Sequence, residues 1–323
     1  HRCSEIQSLM LDPDSLRWLA ACTWLGLLIA VAIGYVVWQY RRSPYSLWES
    51  VLYVPTYLFS RLLWRVHFAN QPPAAIRGGA ILVANHRSSV DPFFVQLSAG
   101  RRVHWMVARE YCENPVIGPL LRVLQVIPTN RSGMDTGATK QAIRLAKEGR
   151  LVGMFPEGRL NHTPSDPLVS IRPGAALVAF RAGVPMIPLY ILGSPYRREV
   201  WSPVTMPAHV KITFGEPIDP KSFAEQNAAV AAEELSGSTS FSAPAERTAP
   251  AHGSALIENG ASGPSGNGEE KQRRFELAMA ERMVLQWGKQ IVSLAGRPGF
   301  PVEIAGRSRL ARTPREAVAP ETI

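Results

Sequence analysis

The sequence predicts an α/β domain, a central β-sheet flanked by helices, carried behind N-terminal membrane-anchoring helices. Three observations predict it. From about Ala74 to Phe223, short apolar runs alternate with helix-patterned segments. Ahead of them, Trp18 to Trp38 is a run of 21 residues without a charge. The 323 residues are 46% hydrophobic and 19% charged, enough apolar material for a sizeable core, which excludes whole-chain disorder, a collagen-like fibre and a disulfide scaffold.

In chain order, residues 1–15 are an N-terminal flank and 16–40 a predicted transmembrane helix. The apolar run is long enough for a hydrocarbon core of about 30 Å. Trp18 and Trp38 stand at its ends, with Tyr35 and Tyr40 nearby, where interfacial belts place aromatics. Arg41 and Arg42 follow at once, so the positive-inside rule puts the C-terminal side in the cytoplasm. A cleaved signal peptide is the competing reading. The run exceeds the usual apolar region of such peptides, and no small-x-small site follows it.

Residues 45–70 form a second apolar stretch holding Glu49, Arg61, Arg65 and a kinking Pro55. Two readings stand side by side, an amphipathic helix on the membrane surface and a helix packed on the following domain. Residues 74–223 are the predicted α/β domain. Ala80–Ala84, Val103–Ala108, Leu151–Phe155, Met186–Leu192 and Val210–Phe214 read as strands. Pro92–Ser98, Pro115–Leu124, Asp135–Glu148 and Gly174–Ala182 read as helices, with Asp135 as a cap and Gly149 and Gly183 as stops.

Residues 224–270 change character, being rich in Ala, Ser, Gly, Glu and Pro. Seven Glu against one Arg give this stretch a charge of −6 and leave +15 for the rest of a chain that totals +9. It reads as a disordered insertion. A helix is predicted over 271–295, its stripe being Phe275, Met279, Met283, Val284, Trp287 and Ile291. The basic tail 296–323 reads as loose and open to anionic lipid.

The charge calls for anionic partners, whether nucleic acid, anionic lipid or phosphorylated substrate. No nucleic-acid motif or basic aromatic face is found. Cys3, Cys22 and Cys112 form no CxxC pair and no metal-ligand spacing, so neither a redox nor a metal role is supported.

Chemistry concentrates in two segments, each following an apolar run. Asn85-His86-Arg87-Ser88-Ser89-Val90-Asp91 comes directly after a strand, where α/β proteins build their sites. A neutral imidazole can take a proton from a hydroxyl, and a carboxylate on its other nitrogen would fix its tautomer. Asp91 before Pro92 also reads as an ordinary helix cap, and both readings can hold. The second segment is Phe155-Pro156-Glu157-Gly158-Arg159. Its carboxylate and guanidinium can bind a polar head group, or they can hold the turn through a salt bridge. Between the two lies Ile127-Pro128-Thr129-Asn130-Arg131, where Arg131 suits phosphate through its parallel donors.

With these spacings the segments resemble the glycerolipid acyltransferases, whose best-known members are the 1-acyl-glycerol-3-phosphate acyltransferases. Asn85-His86 to Asp91 is similar to the first motif, NHxxxxD. Val126–Arg131, Phe155–Arg159 and Val184-Pro185-Met186-Ile187-Pro188 are similar to the second, third and fourth. Arg109, Pro115 and Gly118 fit the segment between the first two. The likeness covers roughly Ala74–Pro217, with one departure. Many members read FPEGTRS, whereas here Arg159 follows Gly158 directly, a form that resembles the lysophospholipid side of the family.

The resemblance implies acyl transfer from acyl-CoA or acyl carrier protein, a co-substrate rather than a cofactor, to the hydroxyl of a lysophospholipid acceptor. The foremost acceptor is 1-acyl-glycerol-3-phosphate, giving phosphatidic acid in phospholipid biosynthesis. His86 would be the general base and Asp91 its support. Arg131, Glu157, Gly158 and Arg159 would hold the acceptor. Anionic membrane lipid is the further partner, with no nucleic acid and no metal. The alternatives are another lysophospholipid or glycerol-3-phosphate as acceptor, and a catalytically silent lipid-binding homologue.

Overall fold

The computed structural model describes residues 13–42, 47–130, 135–163, 165–197, 202–227 and 266–305. It divides into two compact units, His1–Val54 and Pro55–Ile323.

The first unit holds α1, Pro13–Arg42, roughly 45 Å long at 1.5 Å per residue. Trp18, Leu19, Trp24, Leu25, Leu28 and Ile33 on it are exposed. Among the described residues, no helix is long and apolar enough to cross a membrane. Side chains at Ala32, Tyr35, Val36, Trp38 and Tyr40 lie outside that set. A spanning helix over 16–40 is therefore not carried by the described residues. Helix α2, Leu47–Leu62, continues through Pro55 but stops short of the expected 45–70. The backbone reverses at Arg65 (φ 41°), and His67–Phe68 form a short strand, β1.

The second unit is built on a sheet. Among the described residues it has seven strands, in the order β1-β7-β6-β2-β5-β3-β4. These are β2 Ala80–Ala84, β3 Val103–Ala108, β4 Ile127–Thr129, β5 Leu151–Met154, β6 Met186–Leu192 and β7 Lys211–Phe214. Strands β6, β2, β5, β3 and β4 are parallel, and β7 turns back antiparallel to β6 with β1 alongside it. The run AILVA of β2 is buried at every position, as a central parallel strand covered on both faces requires.

Alternate residues of these strands serve two cores. Ile81, Val83 and Val152 face the helices α6 (Thr136–Lys147), α7 (Gly174–Ala182) and α8 (Gly266–Leu294). Ala80, Leu82, Ala84 and Trp105 face α3 (Asp91–Ala99) together with Trp64 and Val66. Trp64 meets Phe94 edge-on, with centroids 5.2 Å apart. The helix expected over 115–124 is shorter, α5 (Gly118–Val123), and a further single turn, α4 (Arg109–Cys112), precedes it, the two separated by a stretch holding Asn114 and Pro115. Asn114 spends its side chain accepting from the N–H groups of Val116 and Ile117.

Three boundaries shift. The sheet starts at His67, ahead of Ala74. Residues 220–227 are helical, so the chain holds regular structure past Phe223. Helix α8 starts at Gly266 rather than Lys271, with Glu269 and Glu270 at its positive N-terminal end. The rest of the expected insertion, 228–265, lies outside the described residues.

Helix α8 is integral to the core. Met279, Met283, Val284, Trp287 and Ile291 are fully buried, and the Trp287 indole N–H donates to the carbonyl of Val83 at 3.0 Å. Residues 296–305, expected to be loose, are pinned. Ile171 donates to the Glu303 carbonyl and Ala305 to the Ile171 carbonyl, both at 2.8 Å. Residues 306–323 lie outside the described set.

Candidate active site

Strand β2 delivers Asn85 to the C-terminal edge of the sheet. Its buried amide accepts from the N–H of Ile191 at 2.8 Å and donates to the carbonyl of the same residue at 3.0 Å. The side chain thereby extends the pairing with β6 by one unit, and the backbone is free to leave the strand at His86. Both peptide groups of His86 are then fixed. Its N–H donates to Glu157 Oε1 at 2.7 Å, and its carbonyl accepts from the N–H of Asn161 at 2.7 Å.

The imidazole keeps 19% of its surface exposed, and its Nδ1 lies 3.1 Å from Oδ2 of Asp91. Asp91 is fully buried. Oδ2 also accepts from the N–H groups of Arg87 and Ser88 at 2.6 and 2.7 Å, and Oδ1 from the hydroxyl of Ser194 at 2.6 Å. The cap expectation for Asp91 is corrected here. Val90 holds the N-cap position of α3, and the carboxylate turns back into the preceding loop, whose N–H groups converge on it as an anion nest. With the carboxylate accepting from Nδ1–H, the lone pair of Nε2 is left for a substrate hydroxyl.

The His86 ring lies on a stack. Phe155 faces it at 3.8 Å between centroids and 10° between planes, and Trp105 faces Phe155 at 4.9 Å and 14°. Trp105 has room because its partner across the ladder is Gly153. A Cβ there would come within 2.6 Å of the indole carbons.

Glu157 is 2% exposed. Its two oxygens accept from the backbone N–H groups of His86 and Val169, at 2.7 and 3.0 Å. Burial pushes its pKa up to about 7, outweighing the lowering by those two hydrogen bonds, and the charge of Asp91 adds to the rise. With both oxygens engaged by backbone, this carboxylate braces the His86 segment against Val169. Gly158 and Arg159 are exposed on the adjoining turn. Gly158 has φ 64°, and the Arg172 guanidinium lies 3.5 Å from where its Cβ would stand.

Arg131 lies outside the described residues. The neighbouring Asn130 accepts from Arg109 Nε at 2.9 Å and donates its own N–H to Asp135 Oδ2 at 2.9 Å. Asp135 caps α6 as expected, accepting from the Ala138 N–H at 3.0 Å; these backbone bonds hold its carboxyl below the usual range. Among the described residues, no group of three His, Cys, Asp or Glu side chains is arranged to hold a metal.

A family model described as Acyltransferase matches residues 64–192, which span the dyad, its brace and Trp105. Residues 64–192 belong to the acyltransferase family. This acyltransferase domain is similar to the 1-acyl-sn-glycerol-3-phosphate acyltransferase of Bacillus subtilis, 29% identical over 45% of this chain and 70% of that one. It is also similar to a probable enzyme of that name in Mycoplasma genitalium, 27% identical over 44% of this chain and 58% of that one. The chloroplastic enzyme of Arabidopsis thaliana is 26% identical over 54% and 49%. The chain thus spans 49% to 70% of the length of these relatives. The solved 1-acyl-sn-glycerophosphate acyltransferase of Thermotoga maritima aligns at TM-score 0.41 and 23% identity, over 55% of this chain and 74% of that chain.

Sequence reasoning missed Ser194, Arg172 and the stacking of Trp105. Ser194 had a faint signal, a Gly-Ser pair directly after the apolar run of β6. Arg172 had none, being one surface arginine among many.

Proposed function

We propose that the chain transfers a fatty acyl group from acyl-CoA or acyl carrier protein to the free hydroxyl of a lysophospholipid, foremost 1-acyl-glycerol-3-phosphate, making phosphatidic acid. One observation carries the reading: the buried Asp91 carboxylate set on Nδ1 of a half-buried His86, at the sheet edge of an acyltransferase domain. Nε2 of His86 takes the hydroxyl proton as the oxygen attacks the thioester carbonyl. A C–O bond forms, the C–S bond breaks, and the imidazolium returns its proton to the sulfur. The thioester is already activated, so this route calls on no protein nucleophile and no cofactor. Arg131 and Arg159 are the acceptor's phosphate ligands in this reading, with Gly158 shaping the turn.

Membrane attachment belongs to the same proposal. Helix α1 carries the uncharged run 18–38, and α2 exposes Tyr57, Leu58 and Leu62 beside Arg61. Both suit a chain attached to a bilayer, with the catalytic domain on the cytoplasmic side and anionic lipid as a partner. The names of the curated relatives support lysophosphatidate as acceptor. Arg159 directly after Gly158 favours a second reading, in which another lysophospholipid or glycerol-3-phosphate is acylated.

The test is a panel of lysolipids and glycerol-3-phosphate offered to the full chain in vesicles, once with an acyl-CoA and once with the same acyl chain on acyl carrier protein, with products read by mass spectrometry. Phosphatidic acid as the main product supports the first reading. A different diacyl phospholipid, or a monoacyl product formed from glycerol-3-phosphate, supports the second. No acyl product from any acceptor with either donor overturns both.

A further inference from the structure

The stack under His86 does more than fill space. A phenyl ring carries negative charge density on its face, and a cation within about 6 Å of the centroid is attracted to it. Phe155 presents that face to the imidazole at 3.8 Å, nearly parallel. A neutral imidazole gains only dispersion there, whereas an imidazolium gains the charge–quadrupole attraction as well. The charged form arises as the proton leaves the acceptor hydroxyl, so the ring favours the transition state over the resting enzyme.

The arrangement is built into the sheet. Gly153 and Phe155 lie on the same face of their segment, two residues apart. The missing side chain at Gly153 lets the Trp105 indole fold across β5 and cover the far side of Phe155, at 4.9 Å and 14°. Trp105 is 6% exposed, so Phe155 is backed by a buried ring and held parallel to the base.

We propose that Phe155 is a positioning residue that stabilises the imidazolium of His86 through its ring face, with Trp105 and the gap at Gly153 holding it in register. This rests on the acyl-transfer reading for its kinetic consequence only. The other charges facing His86 are Asp91 from α3, Glu157 under its backbone and Arg87 beside it, whose guanidinium donates to the Thr163 carbonyl at 3.1 Å. On β6, Tyr190 lies within reach of the Arg87 charge. A change confined to the Phe155 ring leaves all of them in place.

The test places mono-, di- and trifluorinated phenylalanine at position 155 of the full chain. Each fluorine drains the ring face while nearly keeping its shape. Two readouts are followed: the His86 imidazole titration by NMR, assigned against His86→Gln, and kcat/KM against pH with lysophosphatidate and acyl-CoA. The expected result is a midpoint and an acid limb that move to lower pH with each fluorine. The most fluorinated ring should lose roughly 3- to 30-fold in kcat. Phe155→Tyr, which keeps the ring face, should stay near wild type, and Phe155→Leu should fall with the fluorinated set. A flat titration and flat rates across the series would reduce the stack to packing and overturn the proposal. A graded titration with no acyl transfer from any form, wild type included, would keep the stack and remove the acyl-transfer reading instead.

Discussion

Oδ2 of Asp91 lies 3.1 Å from Nδ1 of His86 while also taking the N–H groups of Arg87 and Ser88. Five residues of chain curl around a single oxygen. The loop is thus wound on the carboxylate, and the imidazole is aimed by the same atom that shapes the loop. Asp91 orients His86 and also solvates itself, so its two duties fail together when it is replaced.

His86→Ala should lower acyl transfer by roughly 10²- to 10⁴-fold, the usual contribution of a positioned general base, with the fold kept. Asp91→Asn should reach a similar loss, because an amide brings N–H groups against the backbone donors of Arg87 and Ser88 and releases the tautomer of His86. The double variant should be no worse than the single ones, since the two residues act as a unit. Release of CoA that depends on acceptor is the measurement, with circular dichroism as the control for folding. A His86→Ala protein at wild-type rate would end the base assignment.

Ser194→Ala removes the hydroxyl that holds Oδ1 of Asp91 at 2.6 Å. The carboxylate keeps its other donors, so the dyad survives with more freedom. The expected outcome is a fall in kcat of about tenfold with the acceptor KM unchanged, and a stability loss of about 2 kcal/mol, the usual worth of a hydrogen bond to a charged group. Combined with Asp91→Asn, the Ser194 change should add little, because the pair shares one interaction. A KM effect alone would place Ser194 on the acceptor instead.

How much of this could be read beforehand follows from sequence distance. The five principal strands were legible because each is an apolar run bounded by turn residues. Strand β1 was not, since His67 and Phe68 are only two residues and both are exposed. Strand β4 hides behind Pro128. The dyad was legible because His86 and Asp91 share one short motif, and their opposition across the loop is local geometry. Ser194 reaches Asp91 from 103 residues away and Trp287 reaches Val83 from 204, and no periodicity encodes such pairings. From the sequence Glu157 reads as a ligand of the acceptor, because a charge suggests solvent. Only the fold shows that its two oxygens are already engaged by backbone.

Trp287→Phe tests whether α8 is part of the catalytic unit. The indole N–H donates to the carbonyl of Val83, three residues before His86, from a fully buried position. Phenylalanine keeps most of the apolar volume and drops the donor. Loss of a buried hydrogen bond together with some packing should cost about 1–3 kcal/mol, read as a lower urea midpoint with an unchanged slope. Ending the chain before Gly266 should abolish cooperative unfolding altogether, because Met279, Met283, Val284 and Ile291 leave with the helix. A truncated protein that melts like the full chain would make α8 an accessory.

Glu157→Gln separates bracing from charge. Burial raises the pKa of this carboxyl from 4.5 in the unfolded reference to about 7 in the fold, so between those values the native state binds a proton that the unfolded chain has released. Its contribution to stability is fully present below about pH 4.5 and is lost as pH rises through about 7. Over that window the loss amounts to about 3 kcal/mol at 1.36 kcal/mol per pH unit. In the Gln variant this part of the pH slope should vanish, since a neutral amide still offers its oxygen to one of the two N–H donors, His86 or Val169. Chemical denaturation of both proteins at pH 5, 6, 7 and 8 measures it. Parallel stability curves for wild type and variant would mean that Glu157 stays ionised in the fold, and the brace would then be an anion held by its two backbone donors alone.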